Sequence, residues 1–421
     1  MVGTNEPQTR AFLSQLPYYS LIALISSLGF VQIGYPVLGK QMIMTDLLFL
    51  TTPFFLAIAF VGGQIVLRWD SFYFAILVCL AALGISVAFS ADLSRSLRTF
   101  PIEIYLAALS FVAFTILNTR RRIEVAIKAW LIGTAFAVAV GLLTIVLFYA
   151  DRDNLLLEYL TYHYGAVPVG DFPRITATFS SASMLCNYLN VGLILAYVSL
   201  NRGWLPKVTY VLIAGILICS LFTVSIGLGG IFLALGSIAF VIYQRKDGGS
   251  KTLAAAGVVA GLAFLIVSIF SLAFYPNAEV WATLGNFRLM PSARVLVWRD
   301  SLQTFFEHPF AGKGLGLPVA ATAVTNTDGS ASLLTDAHNA FLNVAAQSGI
   351  LGLLGLLAVV LCLLRIWIKS FNADRTLTRA LGLAFVCSFV YQGLTGSFEE
   401  ARHLWVLMGM MIAANRVETV D

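Results

Sequence analysis

Charged side chains are scarce in this sequence. They make up 11% of the 421 residues, whereas soluble domains carry about 25%. With 59% apolar residues and a mean hydropathy of +0.87, that deficit excludes a soluble globular protein. Cysteine is sparse and unpatterned. Cys79, Cys186, Cys219, Cys362 and Cys387 all lie inside apolar runs without C-x-x-C spacing, so neither a disulfide framework nor a zinc site is indicated. The net charge of +5 is small and its basic residues sit in short segments beside apolar runs, which excludes a nucleic-acid-binding face. Histidine is rarest among the residues that could do chemistry, with only four in the chain.

What is abundant is apolar sequence in long pieces. A helical span of the hydrocarbon core needs ~20 mostly apolar residues. Twelve runs meet that need, near 18–38, 43–66, 72–90, 100–117, 126–149, 179–199, 205–222, 227–243, 252–274, 349–368, 378–396 and 403–415. They are continuous rather than alternating, which favours helices over a closed barrel. The expected architecture is therefore an all-α, polytopic integral membrane protein of about twelve spans, with residues 1–421 forming one domain. Lysine and arginine set its orientation. With the N-terminus inside, basic residues such as Arg10, Arg68, Arg120, Arg121, Arg122, Arg202, Arg375 and Arg416 fall on the cytoplasmic side. Both termini are then cytoplasmic, and the first run stays as an anchor because no small-x-small cleavage site follows it.

Two outward segments, about 150–178 and 275–337, are too long to be mere connections. The second contains "RVLVWRDSLQTFFEHP", where Val295, Trp298, Leu302, Phe305 and Phe306 recur near helical spacing before Pro309. This spacing predicts an amphipathic helix at the outer membrane boundary. Ten basic residues remain outside: Lys40, Arg95, Arg98, Arg152, Arg174, Arg288, Arg294, Arg299, Lys313 and Arg402. Arginine forks bind phosphate oxygens bidentately, so the set fits an anionic, phosphate-bearing lipid substrate; ordinary surface pairing with nearby carboxylates is the alternative.

The stretch "DAHNAFLNVAAQSGILG", residues 336–352, carries a histidine on the boundary between loop and span. Asp336 is expected to cap a helix that His338 begins, leaving the imidazole beside the positive end of the helix dipole, where its neutral, proton-accepting form is favoured. A general base fits that position, and so does a purely structural histidine. A metal ligand does not, because no histidine or cysteine follows at i+3 or i+4. "GKGLGLP", residues 312–318, lacks the Ser or Thr and the setting of a nucleotide P-loop and is expected to be a chain reversal. A phosphate could still meet its backbone amides.

His338-Asn339, nine residues, Gly349, two residues and Gly352 resemble the histidine signature of bacterial O-antigen ligases, within the superfamily of O-antigen polymerases and protein O-oligosaccharyltransferases. "RITATF" at 174–179 and "ARVLVWRDSLQTFFEHPFAGKGLG" at 293–316 are similar to the same superfamily, although Arg294 is followed four residues on by Trp298 where the ligase pattern has leucine. The resemblance implies the multi-span fold of lipid-linked-sugar glycosyltransferases in the bacterial inner membrane, with a periplasmic active site. The implied donor is a glycan on undecaprenyl diphosphate. The implied acceptor is a sugar hydroxyl of lipid A-core, with a lipid-linked glycan or a protein as alternatives. His338 would be the base, supported by Asp336 and Asn339; Arg174 and Arg288 or Arg294 would hold the diphosphate. No metal, no cofactor and no nucleic acid is implied, membrane lipids surround the chain, and a monomer is expected. A transporter is the reading from a different class, with "SIGLGG" at 225–230 as its broken helix.

Overall fold

The computed structural model describes residues 6–30, 34–37, 40–161, 173–223, 282–284, 287–289, 294–325, 331–373, 375–396 and 401–420. Over these the chain is predominantly helical. The elements run α1 Glu6–Ser27, a hairpin of β1 Gly34–Val37 and β2 Lys40–Ile43, α2 Met44–Val61, α3 Phe72–Ala88, α4 Leu93–Ile116, α5 Arg120–Ala150, the single turn α6 Leu156–Leu160, α7 Ala182–Asn201 and α8 Pro206–Phe222. A hairpin of β3 Ala282–Leu284 and β4 Phe287–Leu289 follows, then α9 Arg294–Glu307, a hairpin of β5 Thr322–Thr325 and β6 Ala331–Leu334, α10 Ala340–Asn372, α11 Thr376–Thr395 and α12 Arg402–Val420. Four of these, α4, α5, α7 and α10, are long and apolar enough to cross a membrane. The protein is an α-helical membrane bundle. The runs at 227–243 and 252–274 lie outside the described residues.

Several helices begin where a side chain satisfies a free amide of the first turn. Asp92 accepts from the amide of Arg95, Thr119 from that of Arg122 and Ser181 from that of Met184. The first apolar run departs from expectation. Helix α1 starts at Glu6, well before residue 18, and ends at Ser27 rather than continuing to 38. Gly29, Gly34, Pro36 and Gly39 follow that end, residues that do not favour continuing a helix.

Polar contacts fix which helix ends meet. Asn187 in the second turn of α7 donates to Gln392 in the last turn of α11 at 2.6 Å, and Ser388 of α11 donates to Asn187. Ser388 also meets the ring of His403 in the first turn of α12 at 3.4 Å, while that ring stands edge-on to Tyr188. Phe341 at the start of α10 stacks edge-on against Phe389 of α11. The beginnings of α7, α10 and α12 and the end of α11 therefore share one end of the bundle. His403, wholly enclosed in this packing, belongs to the interior and not to a reacting surface.

Candidate active site

His338 stands at that end, half-buried, immediately before α10. Its backbone is left-handed, with φ 46°, a conformation in which histidine, asparagine and aspartate are enriched among residues with a β-carbon. The expected capping arrangement is corrected here. Asn339, not Asp336, caps α10, its side-chain oxygen accepting from the amides of Phe341 and Leu342 at 3.1 Å each. Asp336 accepts the amide of His338 at 2.8 Å. The histidine is thus outside the helix, one residue before the cap, held in a tight turn whose two flanking polar side chains bond to backbone. That turn positions the ring.

Below it, α10 is broken. Gly349 has φ 63° and ψ −163°, a region essentially reserved for glycine. Residues 340–348 form one half-helix and the rest of α10 another. A break leaves carbonyls bare on one side and amides bare on the other, and the "HPFAGKGLG" loop supplies both sets of partners. The amides of Lys313 and Gly314 donate to the carbonyls of Ala346 and Gln347 at 2.9 and 3.0 Å. The carbonyls of Pro309 and Phe310 accept from Ile350 and Leu351 at 2.8 and 3.4 Å. Approach is so close that a β-carbon on Gly349 would collide with the Phe310 carbonyl, and one on Gly312 with that of Gln347.

Gln347 joins the pieces. Its side chain accepts from the amide of Gly316 at 3.1 Å and donates to the carbonyl of Leu317 at 3.2 Å, and its own carbonyl also accepts from Ser86 of α3 at 2.8 Å. Sequence reasoning did not single out Gln347. Its signal was the polar pair Asn343 and Gln347, four residues apart on one helix face. Because the loop amides of Lys313, Gly314 and Gly316 are already bonded to α10, the "GKGLGLP" segment is a helix-break cap and not a phosphate cradle.

The expected amphipathic helix exists as α9, but its apolar face is turned inward. Val297 and Trp298 are buried with Ala320, and Leu334 and Leu342 pack against them. Asp300 accepts from the amide of Ala321 and the hydroxyl of Thr322, tying α9 to the β5–β6 hairpin. Phe306 and Phe310 are left exposed.

The outer basic residues separate into groups. Arg402 forms a forked pair with Asp46, at 2.7 and 3.2 Å, and Tyr105 donates to the same carboxylate. A partner this remote in sequence, 356 residues away, removes Arg402 from the anion-binding set. Arg95 donates to the carbonyl of Gly316 and the Lys313 ammonium to that of Pro318, so both brace the loop. Arg152 lies over the ring of Phe148, at 5.1 Å. Arg174 sits in the extended approach to α7, half-buried, its Nε donating to the Thr223 carbonyl at the end of α8 at 3.2 Å. Arg288 lies in β4 opposite Thr283 and Arg294 opens α9. The side chains of these last two are outside the described residues. The structure therefore gathers Asp336, His338 and Asn339, and places Arg174 on the α7–α8 side. Among the described residues no group of three His, Cys, Asp or Glu could hold a metal ion.

Residues 209–357 match the family model described as O-antigen ligase. Over that stretch the chain is similar to the O-antigen ligase family. The match runs from α8 through α9, the glycine loop and His338 to just past the break at Gly349, so the loop and the half-helix it caps lie inside it. Arg174 lies outside it. No match was found among curated proteins.

Proposed function

We propose that this protein transfers a glycan from a polyprenyl diphosphate carrier, undecaprenyl in bacteria, to a sugar hydroxyl of lipid A-core on the periplasmic side of the inner membrane. The observation that carries the reading is His338: a half-buried imidazole in a braced left-handed turn, inside the O-antigen ligase match. A sugar hydroxyl is a weak nucleophile, and a base that takes its proton as the bond to the anomeric carbon forms raises its reactivity. The carrier diphosphate leaves. Arg174 and Arg288 or Arg294 stabilise the charge that grows on it. Asp336 and Asn339 hold the turn.

Purified protein, lipid-linked glycan and each acceptor supplied separately test this reading. We expect a gel shift with lipid A-core, and activity that survives excess chelator. Transfer only onto a second lipid-linked glycan would make the protein a polymerase, and transfer only onto a polypeptide an oligosaccharyltransferase. Loss on chelation, restored by magnesium, would defeat the arginine account. A transporter would move the glycan across the membrane and join it to no acceptor.

The arginines have their own test. Lysine keeps the charge and loses the planar fork. Arg174→Lys, Arg288→Lys and Arg294→Lys are compared with Arg299→Lys, whose side chain is exposed. A lost charge-assisted bond costs about 1.5–3 kcal/mol, and ~1.4 kcal/mol is tenfold in rate. True diphosphate ligands should lose tenfold or more, while Arg299→Lys should stay within a few-fold, as surface contacts are typically worth ~0–1 kcal/mol. Melting curves keep the Arg174 bond to Thr223 from being mistaken for a substrate contact. Equal activity in all four variants removes the arginines from the reaction.

A further inference from the structure

Helices α3, α4, α10 and α12 line a cavity of about 30 Å³ beside the break in α10. Ile76, Leu80, Leu356 and Val359 make most of its wall apolar. One part is polar: Asn343, Gln347 and Ser348 reach it from α10, and Glu103 from α4. Asn343 is 3% exposed and Ser348 0%, yet neither Asn343 Oδ1 nor Ser348 Oγ has a hydrogen-bond partner among the described residues. A serine inside a helix ordinarily returns its proton to the carbonyl four residues back, as Ser301 does to Val297 at 2.7 Å. Ser348, the last residue before the break, does not.

Leaving a buried donor or acceptor unsatisfied is destabilising. The cavity offers the remedy. A water molecule needs roughly 10–15 Å³ of such space and two to four polar partners. The volume suffices, and the candidate partners are Asn343 Oδ1, which accepts, Ser348 Oγ, which donates or accepts, and Glu103, which lines the same cavity. We propose that this cavity is an internal water site, where one or two water molecules bridge Asn343 and Ser348 to Glu103. The bridge fastens the half-helix that follows His338 to Glu103 of α4. The site stands on geometry alone and is independent of the reaction proposed above.

The test has two parts. The natural protein in lipid nanodiscs, imaged at a resolution that resolves other buried waters, should show density within hydrogen-bonding distance of Asn343 Oδ1 and Ser348 Oγ. Thermal melts of Ser348→Ala and Asn343→Leu then read the sign of the effect. Removing a bridged group strands its partner, and Tm should fall by at least about 2 °C. Removing a group that was unpaired and dry should leave Tm level or raise it, especially in Ser348→Ala, because alanine is the better helix former. Density together with a lowered Tm supports the site. A cavity without density, or a Tm at or above that of the natural protein, overturns it. Ser348→Ala, which deletes one oxygen, keeps the test readable should Asn343→Leu fail to insert.

Discussion

His338→Asn is expected to lower glycan transfer by ~10²–10⁴-fold, the usual contribution of a positioned general base, while leaving the protein folded. Asparagine is the informative replacement. His338 has φ 46°, and asparagine tolerates that backbone, whereas alanine there adds a conformational cost of about 1 kcal/mol or more. His338→Ala should therefore lose the same activity and also melt slightly earlier. Single-turnover transfer in detergent, run beside thermal melts, separates the two effects. Near-normal transfer by His338→Asn would take the imidazole out of the mechanism and leave the turn as a structural corner.

The second large effect belongs to Gly349. Valine there must adopt a backbone open essentially to glycine and must push its side chain into the Phe310 carbonyl. Strain of ~1–3 kcal/mol from the backbone and ~1–3 kcal/mol from overpacking add, a large share of the ~5–15 kcal/mol that holds a typical domain together. We expect Gly349→Val to lose its monodisperse peak in size exclusion and its transfer activity. Gly63 provides the control. It also has a positive φ, 67°, but a β-carbon there would meet nothing within 4 Å, so Gly63→Val should pay only the backbone cost. Equal melting temperatures for the two variants would mean that the loop does not clamp the break.

How much of this was legible beforehand depends on which atoms make the contact. The apolar run at 72–90 became α3 at Phe72–Ala88 nearly unchanged, because the whole segment carries one signal. The run at 18–38 did not, since a hydropathy window does not weigh the glycines and proline that end α1 and lead into a hairpin. Periodicity foresaw α9, but could not say that its apolar face meets Ala320 and Leu342 in place of lipid. The spacing of His338, Gly349 and Gly352 was visible as a pattern. Its meaning was not, because residues 309–314 and 346–351 meet through backbone atoms, which leave no side-chain code beyond the glycines themselves. Asp46 and Arg402 were each visible and their pairing was not, since nothing local links them.

A continuous helix behaves as a stiff rod: displace one end and the other follows. The break at Gly349 interrupts that rod in α10. Residues 350–372 are built into the bundle, while residues 340–348 are gripped by the loop, by Ser86 and by the packing around α9. Across the break the loop bonds both sides, Ala346 and Gln347 through its amides and Ile350 and Leu351 through its carbonyls, so the two halves of α10 are joined through the loop and not through one helical ladder. The proposed reacting corner is in this sense held by its neighbours around the break as much as by α10 itself.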